Sequence, residues 1–355
     1  MKFLITGICG FAGSRIAAVL RREFEGAAIC GIDNFLRPGS ETNRPRLKAL
    51  GVDVRHGDVR LQSDWDMLPA TDWLIDAAAE PSVLAGVNSG STRQLIETNL
   101  GGTVEALEYA KRHSAGFILI STSRVYSIAP LASLPVVVKD GAFTLDTAQP
   151  LPHGVSIHGV DDEFSTAPPI SLYGSTKLAS EALAAEYAFA FQLPGYINRC
   201  GVLSGAGQFG TAAQGIFAYW INAHLRRRGL RYIGFDGMGH QSRDVLHIDD
   251  LAALIARQIR NPRPGAAPLY TVGGGQERTM SLRQLTQWCE ARFGHLDVAS
   301  DPKPRPYDIP WFVTDSRRVM EDFEWAPQWS LEQILDEIAE HAREHPQWLE
   351  WSGAQ

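Results

Sequence analysis

Short apolar runs alternate with amphipathic stretches along the first part of the chain. The runs with the length and β-branched content of buried strands are KFLIT (2–6), AAICGID (27–33), VDVRHGD (52–58), DWLIDAAA (72–79), GFILIST (116–122) and GYINRCGVL (195–203). Between them, SRIAAVLRREF (14–24) and residues 92–113 repeat their apolar positions with the period of a helix. Because strands that alternate with helices form parallel sheets, the pattern predicts an α/β fold with a doubly wound parallel sheet.

The pattern changes after residue 126. Residues 127–170 contain many Pro and Gly and show little periodicity. A loop of this length in a compact domain is usually functional or disordered. We expect this insert, which directly precedes a helix at 173–191, to help choose the substrate.

The second half of the chain predicts a smaller domain interleaved with the first. Helical patterns cover 212–229, 281–293 and 331–345. We expect one domain over 1–195, to which roughly 236–263 returns, and a second domain over 196–235 and 264–355.

Charge and composition exclude several classes of protein. The chain has 33 Lys plus Arg against 40 Asp plus Glu, a net charge of −7, which argues against general binding to nucleic acid or to a membrane surface. No apolar run is long enough to span a membrane, and MKFLITG lacks the pattern of a signal peptide, so we expect a cytoplasmic protein. The spacing of Cys9, Cys30, Cys200 and Cys289 fits no zinc pattern, and we expect free thiols and no metal site.

A glycine-rich turn follows the first predicted strand. It holds Gly7, Gly10 and Gly13 in the sequence TGICGFAG. Such a turn lets the backbone approach a diphosphate at the start of a helix, although this spacing alone is a weak motif. Asp33 ends the second strand 20 residues after Gly13, where a carboxylate accepts hydrogen bonds from a ribose and favours NAD over NADP. Nearby Arg37 keeps NADP open, and Asp58, at the end of the third strand, could meet the adenine.

Tyr173 and Lys177 lie one helical turn apart in SLYGSTKLASEAL. Ionising an unperturbed Tyr at pH 7 costs about 4 kcal/mol, and a nearby ammonium lowers that cost, so the pair could act as a general base. On its own the pair is explained equally well as a solvated contact on a helix face. Thr122 favours the catalytic interpretation, because it ends a strand at the sheet edge where α/β folds bind ligands.

Together these motifs resemble the extended short-chain dehydrogenase/reductase family, the NAD-dependent nucleotide-sugar epimerases and dehydratases. The matching segments are TGICGFAG, Asp33, GDVR (57–60), NLGGT (99–103), STSRVY (121–126), LYGSTK (172–177), RDVLHIDD (243–250), TVGGG (271–275) and the Trp-Ala-Pro at 325–327. Within that family the chain is most similar to the CDP-paratose 2-epimerase (CDP-tyvelose epimerase) group, through the insert, GAGQFGTAAQG (205–215) and SRDVLHIDD.

The resemblance implies a Rossmann-type domain that binds NAD and a smaller domain that binds a CDP- or UDP-linked nucleotide-diphosphate sugar. It implies that the catalytic residues are Thr122, Tyr173 and Lys177. Residues implied to touch or support NAD are Gly7, Gly10, Phe11, Ala12, Gly13, Asp33, Asn34, Asp58, Val59, Ala77, Ala78, Asn99, Tyr173 and Lys177. Residues implied to bind substrate are Glu80, Ser123, Arg124, Asn198, Arg199, Gln208, Phe209, Arg243, Arg305 and Asp308, with Arg243 and Arg305 on the diphosphate.

The implied reaction is the transient oxidation of one sugar carbon, C2 in a 2-epimerase. Tyr173 takes a proton from a sugar hydroxyl, a hydride passes to NAD, and the keto sugar turns before the hydride returns. The alternatives are a UDP-sugar 4-epimerase or a UDP-sugar-acid decarboxylase. A 4,6-dehydratase ranks lower, because such relatives carry an Asp-Glu pair where this chain has Ser123 and Arg124. A non-catalytic NAD-sensing scaffold also ranks lower, because the three catalytic residues are intact.

Three departures from the family pattern are expected on the sugar or nicotinamide side. Asp76 stands where the family often has His, Glu80 where it often has Gln, and Ser204 where it usually has Tyr. The resemblance also implies a homodimer in which the helices at 92–113 and 173–191 pair across the interface as a four-helix bundle.

Overall fold

The computed structural model describes residues 1–87 and 90–354. Its strands are β1 (Lys2–Thr6), β2 (Ala28–Asp33), β3 (Asp53–His56), β4 (Trp73–Asp76), β5 (Gly116–Thr122), β6 (Val136–Lys139), β7 (Ala142–Leu145), β8 (Val155–Ser156), β9 (Gly159–Val160), β10 (Gly195–Cys200), β11 (Val202–Ser204), β12 (Leu230–Ile233), β13 (Ser242–His247), β14 (Leu269–Val272), β15 (Thr279–Ser281), β16 (Val298–Asp301) and β17 (Trp311–Phe312). Its helices are α1 (Phe11–Glu23), α2 (Arg44–Ala49), α3 (Gln62–Asp66), α4 (Thr92–Ile96), α5 (Gly102–His113), α6 (Ile128–Ala132), α7 (Leu172–Phe191), α8 (Ile216–Leu225), α9 (Ile248–Arg260), α10 (Leu282–Phe293), α11 (Arg317–Phe323), α12 (Leu331–Glu344) and α13 (Trp348–Trp351).

A seven-stranded parallel sheet in the order β14-β10-β5-β4-β1-β2-β3 forms the centre of the molecule. The strand order reverses between β1 and β4, and this switch point leaves a crevice at the carboxyl ends of the strands. In the register Thr6 lies opposite Asp76, and Thr122 lies opposite Cys200. The predicted doubly wound α/β fold is therefore confirmed.

Helices cover both faces of this sheet, which explains why its inner strands are buried and mostly apolar. On one face Ile16 of α1 and Leu251 of α9 pack in a shared core with Ile75 of β4. On the other face Leu107 of α5 and Ala184 of α7 pack against Phe117 of β5. Because α7 presents small residues to the sheet, its first turn can lie close to the end of β5.

The second part of the chain builds smaller sheets beside the crevice. Strands β11, β13 and β15 form one path, and β17 pairs with β13, while β12 pairs with β16. Helix α8 packs between α10 and α12 around a core that includes Trp220, Leu285 and Ile338.

The expected domain boundaries do not follow the central sheet. Strands β10 and β14 belong to the seven-stranded sheet, although they lie outside 1–195 and 236–263. The predicted strand at 195–203 is two strands in different sheets, β10 and β11, separated by Gly201. Here one apolar run passes from the central sheet into one of the smaller sheets, and periodicity alone does not reveal the change.

The predicted helix at 92–113 is interrupted by a π-helical turn at Glu97–Gly101. Such a turn shifts the register of the side chains and is frequent near functional sites. It places Asn99 in the interior, 1% exposed, facing the turn that follows β4.

The insert at 127–170 is folded onto the smaller sheets. Strands β6 and β7 form an antiparallel hairpin, and the half-buried Phe143 packs against Phe235 and His240. None of its residues lines the large cleft described below, so the expectation that the insert helps choose the substrate stays a prediction. Its contacts make it a brace, because Phe143 N–H and the Gly141 carbonyl bond to His240 and Ser281.

Among the helices in the described ranges 1–87 and 90–354, we find none with the length and apolar character that crossing a bilayer requires.

Replacing Phe143 with Ala tests the bracing role. Because the ring is half-buried between two aromatic rings, we expect the free energy of unfolding to fall by roughly 1–3 kcal/mol, less than for a fully buried Phe. Denaturant unfolding measures the change. The exposed Val138 on the same hairpin provides the control, and its replacement with Ala should change stability by no more than about 0.5 kcal/mol. Equal small losses in both variants would contradict the bracing role.

Candidate functional site

A cleft of about 670 Å³ runs from the start of α1 to the smaller sheets. The predicted site residues that line it are Gly7, Gly10, Phe11, Ala12, Gly13, Asp33, Asn34, Val59, Ala77, Ala78, Glu80, Thr122, Ser123, Arg124, Tyr173, Gln208, Phe209, Arg243, Arg305 and Asp308. The predicted residues that do not line it are Asp58, Asn99, Lys177, Asn198 and Arg199. Residues from both parts of the chain therefore meet in one cleft.

The turn between β1 and α1 has the shape of a diphosphate cradle. A Cβ at Gly13 would overlap the carbonyl oxygen of Gly7 and lie 2.9 Å from its carbonyl carbon. Gly7 has a φ of +61°, and a Cβ there would lie 3.0 Å from Ala78 Cα. The first amides of α1 have no carbonyl one turn earlier to bond, and no side chain caps the helix at Gly10. These free donors, at the positive end of the helix dipole, fit an anionic dinucleotide.

Asp33 places a buried carboxylate beside this cradle. Its two oxygens accept hydrogen bonds from the amides of Cys9 (2.9 Å) and Phe35 (2.8 Å). Burial raises the pKa of Asp33, and these amide hydrogen bonds oppose the rise. Each carboxylate oxygen keeps a lone pair for a further donor, as a ribose hydroxyl provides.

Arg37 also lines the cleft, but another partner holds it. Its guanidinium donates a hydrogen bond to the carbonyl of Phe209, and burial lowers its pKa while the charge of Glu80 opposes that change. The carboxylate of Asp33 therefore remains the charged group beside the cradle, which fits a ribose hydroxyl better than a 2′-phosphate.

Asp58 supports the site from behind rather than lining it. It pairs with Arg60 at 2.6 Å and accepts a hydrogen bond from Asn34 at 3.1 Å. The hydrogen bond from Arg60 is the main reason that its pKa is lowered to about 2. The carboxylate of Asp58 turns toward Arg60 and its neighbour Val59 lines the cleft, so the contact of Asp58 with the adenine stays a prediction.

Tyr173 enters the cleft from the first turn of α7. The hydroxyl of Ser171 caps this helix by accepting a hydrogen bond from the Gly174 amide at 2.9 Å. Burial raises the pKa of Tyr173 to about 12, and the nearby Thr122 hydroxyl and the charge of Arg124 oppose the rise. Thr122 and Tyr173 thus both line the cleft at the carboxyl end of β5.

Lys177 lies one helical turn beyond Tyr173 and is 1% exposed. Burial lowers its pKa, while the charges of Asp76 and Glu181 oppose that change. It lies beneath the cleft wall, among these carboxylates.

Asn198 and Arg199, predicted to bind substrate, bond to other parts of the protein and do not line the cleft. The amide of Asn198 exchanges two hydrogen bonds with Gln258 of α9, at 2.9 and 2.8 Å. Arg199 points to the other face of β10, where it binds Glu181 of α7 at 2.8 Å and packs over the Tyr126 ring. Neither side chain lines the cleft, because a strand inside a covered sheet turns its side chains toward the helices on its two faces, so their contact with substrate stays a prediction.

The three departures from the family pattern take different places. The buried carboxylate of Asp76 accepts hydrogen bonds from Thr6 (2.8 Å) and Thr103 (2.9 Å), away from the cleft. The buried hydroxyl of Ser204 bonds to the side chain of Gln208. Of the three, only Glu80 lines the cleft. Asp76 and Ser204 therefore do not meet the expectation that all three lie on the sugar or nicotinamide side of the site.

Asn99 lies behind the cleft wall and holds Glu80, which is part of that wall. Its side chain accepts a hydrogen bond from the Glu80 amide at 2.8 Å and donates one to the Glu80 carbonyl at 3.1 Å. It also donates to the Thr176 hydroxyl on α7 at 3.2 Å. Asn99 therefore holds the turn after β4 at a set distance from the Tyr173 helix.

The far end of the cleft is basic. Arg243 pairs with Asp308 at 3.2 Å and donates to the Ile309 carbonyl at 2.7 Å, and burial lowers its pKa to about 10. Arg305 lines the same end. Two guanidinium groups around a single carboxylate leave a net positive charge that suits a diphosphate.

A loop at 204–209 closes one side of the cleft and rests on the C-terminal helices. The Ala206 amide donates to Glu337 of α12 at 2.8 Å, and the Trp348 indole donates to the Gln208 carbonyl at 2.9 Å. The ring of Phe209 stacks on Trp348 at 5.1 Å. Although burial alone would raise the pKa of Glu337, hydrogen bonds from His247 and Ala206 and the charge of Arg15 lower it to about 2.

Sequence reasoning missed several residues that line the cleft. They include Arg37, Trp220, Arg231 and Tyr307. Tyr307 has a φ of +61° within the Pro-rich 303–310 segment, a conformation that the sequence does not signal. The sequence shows that Arg37 is a positively charged residue shortly after β2, but from this it predicts only a bearing on NADP and not a place in the cleft wall.

Replacing Arg199 with Met tests its structural assignment. Because the change leaves the Glu181 carboxylate buried without its cation, we expect the free energy of unfolding to fall by about 3–5 kcal/mol in denaturant unfolding. Replacing both residues with Met should restore most of that loss. The exposed pair Arg93–Glu97 is the control, and Arg93→Met should cost less than about 1 kcal/mol. An Arg199→Met protein of unchanged stability would return Arg199 to the list of binding residues.

Known proteins share both the sequence pattern and the fold. Residues 3–273, more than half of the chain, match the profile of the family described as NAD dependent epimerase/dehydratase.

Relatives match over almost the whole length. The chain is 27% identical over 336 residues to the CDP-paratose 2-epimerase of Salmonella typhi, which covers 92% of this chain and 95% of that protein. It is 27% identical over 351 residues to the dTDP-L-rhamnose 4-epimerase of Burkholderia thailandensis, covering 95% and 93%. Its fold is similar to that of UDP-glucuronic acid 4-epimerase from Bacillus cereus in complex with UDP-glucuronic acid and NAD, with a TM-score of 0.77, 23% identity and coverage of 97% and 99%.

Proposed function

The chain belongs to the NAD-dependent epimerase/dehydratase family, and from this premise we propose that it epimerises one carbon of a nucleotide-diphosphate sugar by transient oxidation. The observation that carries the proposal is the meeting of Thr122 and Tyr173 inside the cleft, between a glycine cradle and a basic end. This arrangement has a proton-handling group between one site for a dinucleotide and another for a diphosphate.

The cradle and Asp33 are the residues that would hold NAD. The amides at the start of α1 would receive the diphosphate, and the Asp33 carboxylate would accept hydrogen bonds from the ribose. Bound NAD supplies the hydride acceptor and donor that oxidation and re-reduction of one carbon require.

Tyr173 would act as the general base and then as the general acid. As a phenolate it accepts the proton of the reacting sugar hydroxyl, and it returns that proton when the keto group is reduced. Thr122 would share a hydrogen bond with the same oxygen. The proton and the hydride both return to the sugar, so the reaction is redox-neutral and the product has the mass of the substrate.

Dehydration is disfavoured by the residues that follow Thr122. Water loss needs an acid and a base beside the sugar, and this turn offers the hydroxyl of Ser123 and the guanidinium of Arg124. Glu80 also lines the cleft, but the turn after Thr122 offers no carboxylate of its own.

At the finer level, we propose a 2-epimerase acting on a CDP-linked sugar. The similarity to the Salmonella typhi enzyme over 92% of the chain supports this choice. A UDP-sugar 4-epimerase is the second candidate, supported by the similar fold of the Bacillus cereus 4-epimerase. The basic pair Arg243 and Arg305 would bind the diphosphate of either substrate, so it does not distinguish the two.

We also propose that the protein forms a homodimer through α4, α5 and α7. Ile96, Phe189 and Phe191 are large apolar side chains on these helices with exposures of 42%, 70% and 43%. A four-helix interface would bury them.

Mass spectrometry of the purified protein under native conditions tests the proposed function. We expect NAD to remain bound and a CDP-sugar to be converted to a product of equal mass but different retention on chromatography. A product 18 mass units lighter, as the loss of one water requires, would establish dehydration instead. Parallel reactions with UDP-glucose and UDP-glucuronic acid separate the two candidate substrates, and a product lighter by carbon dioxide from the latter would indicate decarboxylation.

Tyr173→Phe tests the role of the phenol. Because the variant removes the proton acceptor and keeps the ring, we expect turnover to fall by at least about a hundredfold while bound NAD is retained. Tyr187→Phe, farther along the same helix, is the control; its hydroxyl bonds to Glu108 of α5 and it does not line the cleft, so turnover should stay normal. Normal turnover in Tyr173→Phe would exclude this mechanism.

A further inference from the structure

The backbone of Arg124 is held between Thr122 and the first turn of α7, which carries Tyr173, by two contacts. Its amide donates a hydrogen bond to the Thr122 hydroxyl at 3.2 Å, at the end of β5. On the other side, a Cβ at Gly174 would overlap the Arg124 carbonyl oxygen and lie 3.0 Å from its carbonyl carbon. The turn that carries Arg124 and the helix that carries Tyr173 therefore have a fixed relative position.

The side chain of Arg124 extends into the cleft without a carboxylate partner. It lines the cleft together with Tyr173, and its guanidinium donates to the Tyr307 carbonyl at 3.4 Å. Within residues 1–87 and 90–354, no carboxylate oxygen lies within 4.0 Å of this guanidinium, whereas Arg243 has Asp308 at 3.2 Å. The charge of Arg124 is therefore available to other groups in the cleft.

The charges around Tyr173 come from several elements. Arg124 lowers its pKa, while Cys200 of β10 and Glu80 after β4 raise it. The Cys200 thiol has its own pKa raised to about 12 by burial, so it is neutral at physiological pH. Lys177 faces Asp76 and Glu181, which compete for its charge.

Arg124 in turn has charged neighbours that act on it from the opposite side of the cleft. Burial lowers the pKa of Arg124, Asp308 and the Tyr173 oxygen oppose that change, and Arg305 adds to it. A guanidinium stays protonated throughout the working pH range, so it is a permanent cation beside the phenol.

We propose that Arg124 is the side chain that stabilises the phenolate of Tyr173 from within the cleft, while Lys177 supports the helix side. This inference rests on the proposed function, because stabilising the phenolate of Tyr173 matters only if that phenolate accepts the substrate proton. Arg124 acts through Tyr173 and is therefore a positioning residue. The assignment adds a role to its predicted contact with substrate.

A substrate-free titration tests this directly in the NAD-loaded protein. The ultraviolet absorbance of phenolate is followed against pH, and the trace of Tyr173→Phe is subtracted to isolate Tyr173 from the other tyrosines. In Arg124→Met we expect the midpoint to move to higher pH by about one unit, a tenfold smaller phenolate fraction below the midpoint. Arg124→Lys should restore most of the shift, because it keeps a cation. Arg22→Met, an exposed arginine on α1, is the control and should leave the midpoint unchanged.

The pH dependence of turnover separates this role from substrate binding. With phenolate stabilisation, the acid limb of the kcat profile in Arg124→Met moves to higher pH, so the tenfold loss is recovered as pH rises. An unchanged titration midpoint, or a raised KM with an unshifted kcat profile, would overturn the proposal. The titration uses no substrate, so it gives a clear result even where the proposed epimerase activity fails, and each of the two proposals can fail without the other.

Discussion

The site depends on the close approach of α7 to the turn that follows β5. Gly174 makes this approach possible, because a side chain there would overlap the backbone of Arg124. The contact brings Tyr173 to the Thr122 hydroxyl and leaves the Arg124 guanidinium in the same space. With a larger residue at position 174, the helix would have to move away from the sheet edge and the three groups would separate.

Buried polar groups beneath the cleft maintain this geometry. Glu181 ties α7 to β10 through Arg199, and Asn99 ties the turn after β4 to α7 through Thr176. Each of these groups is compensated by a partner within the protein, so it is not available to a ligand. Arg124, which lines the cleft, differs in this respect, because no carboxylate among residues 1–87 and 90–354 pairs with it.

The cleft lies between two parts of the chain that belong to different sheets. The parallel sheet supplies the glycine cradle and the proton-handling pair, while the smaller sheets supply the basic end with Arg243 and Arg305. The 204–209 loop closes the side between them and is itself held by Glu337 and Trp348 near the C-terminus. The last helices therefore contribute to the shape of the cleft, although in sequence they are more than a hundred residues from Thr122 and Tyr173.

The sequence by itself determined the α/β fold, the glycine cradle, and the positions of Asp33, Thr122 and Tyr173. These features are local. Each depends on residues that are close together in the sequence, such as the period of a strand or helix, the residues of a turn, or a short spacing. Only the tertiary structure decided which polar residues face the cleft. Asn198, Arg199 and Asp76 have the chemistry of ligands, but Gln258, Glu181 and Thr103 are their partners across long sequence separations. The insert at 127–170 likewise turned out to be a brace, because its packing partners lie about a hundred residues later in the chain. Whether a polar side chain serves the fold or the cleft depends on what lies opposite it, and that is a property of packing rather than of local pattern.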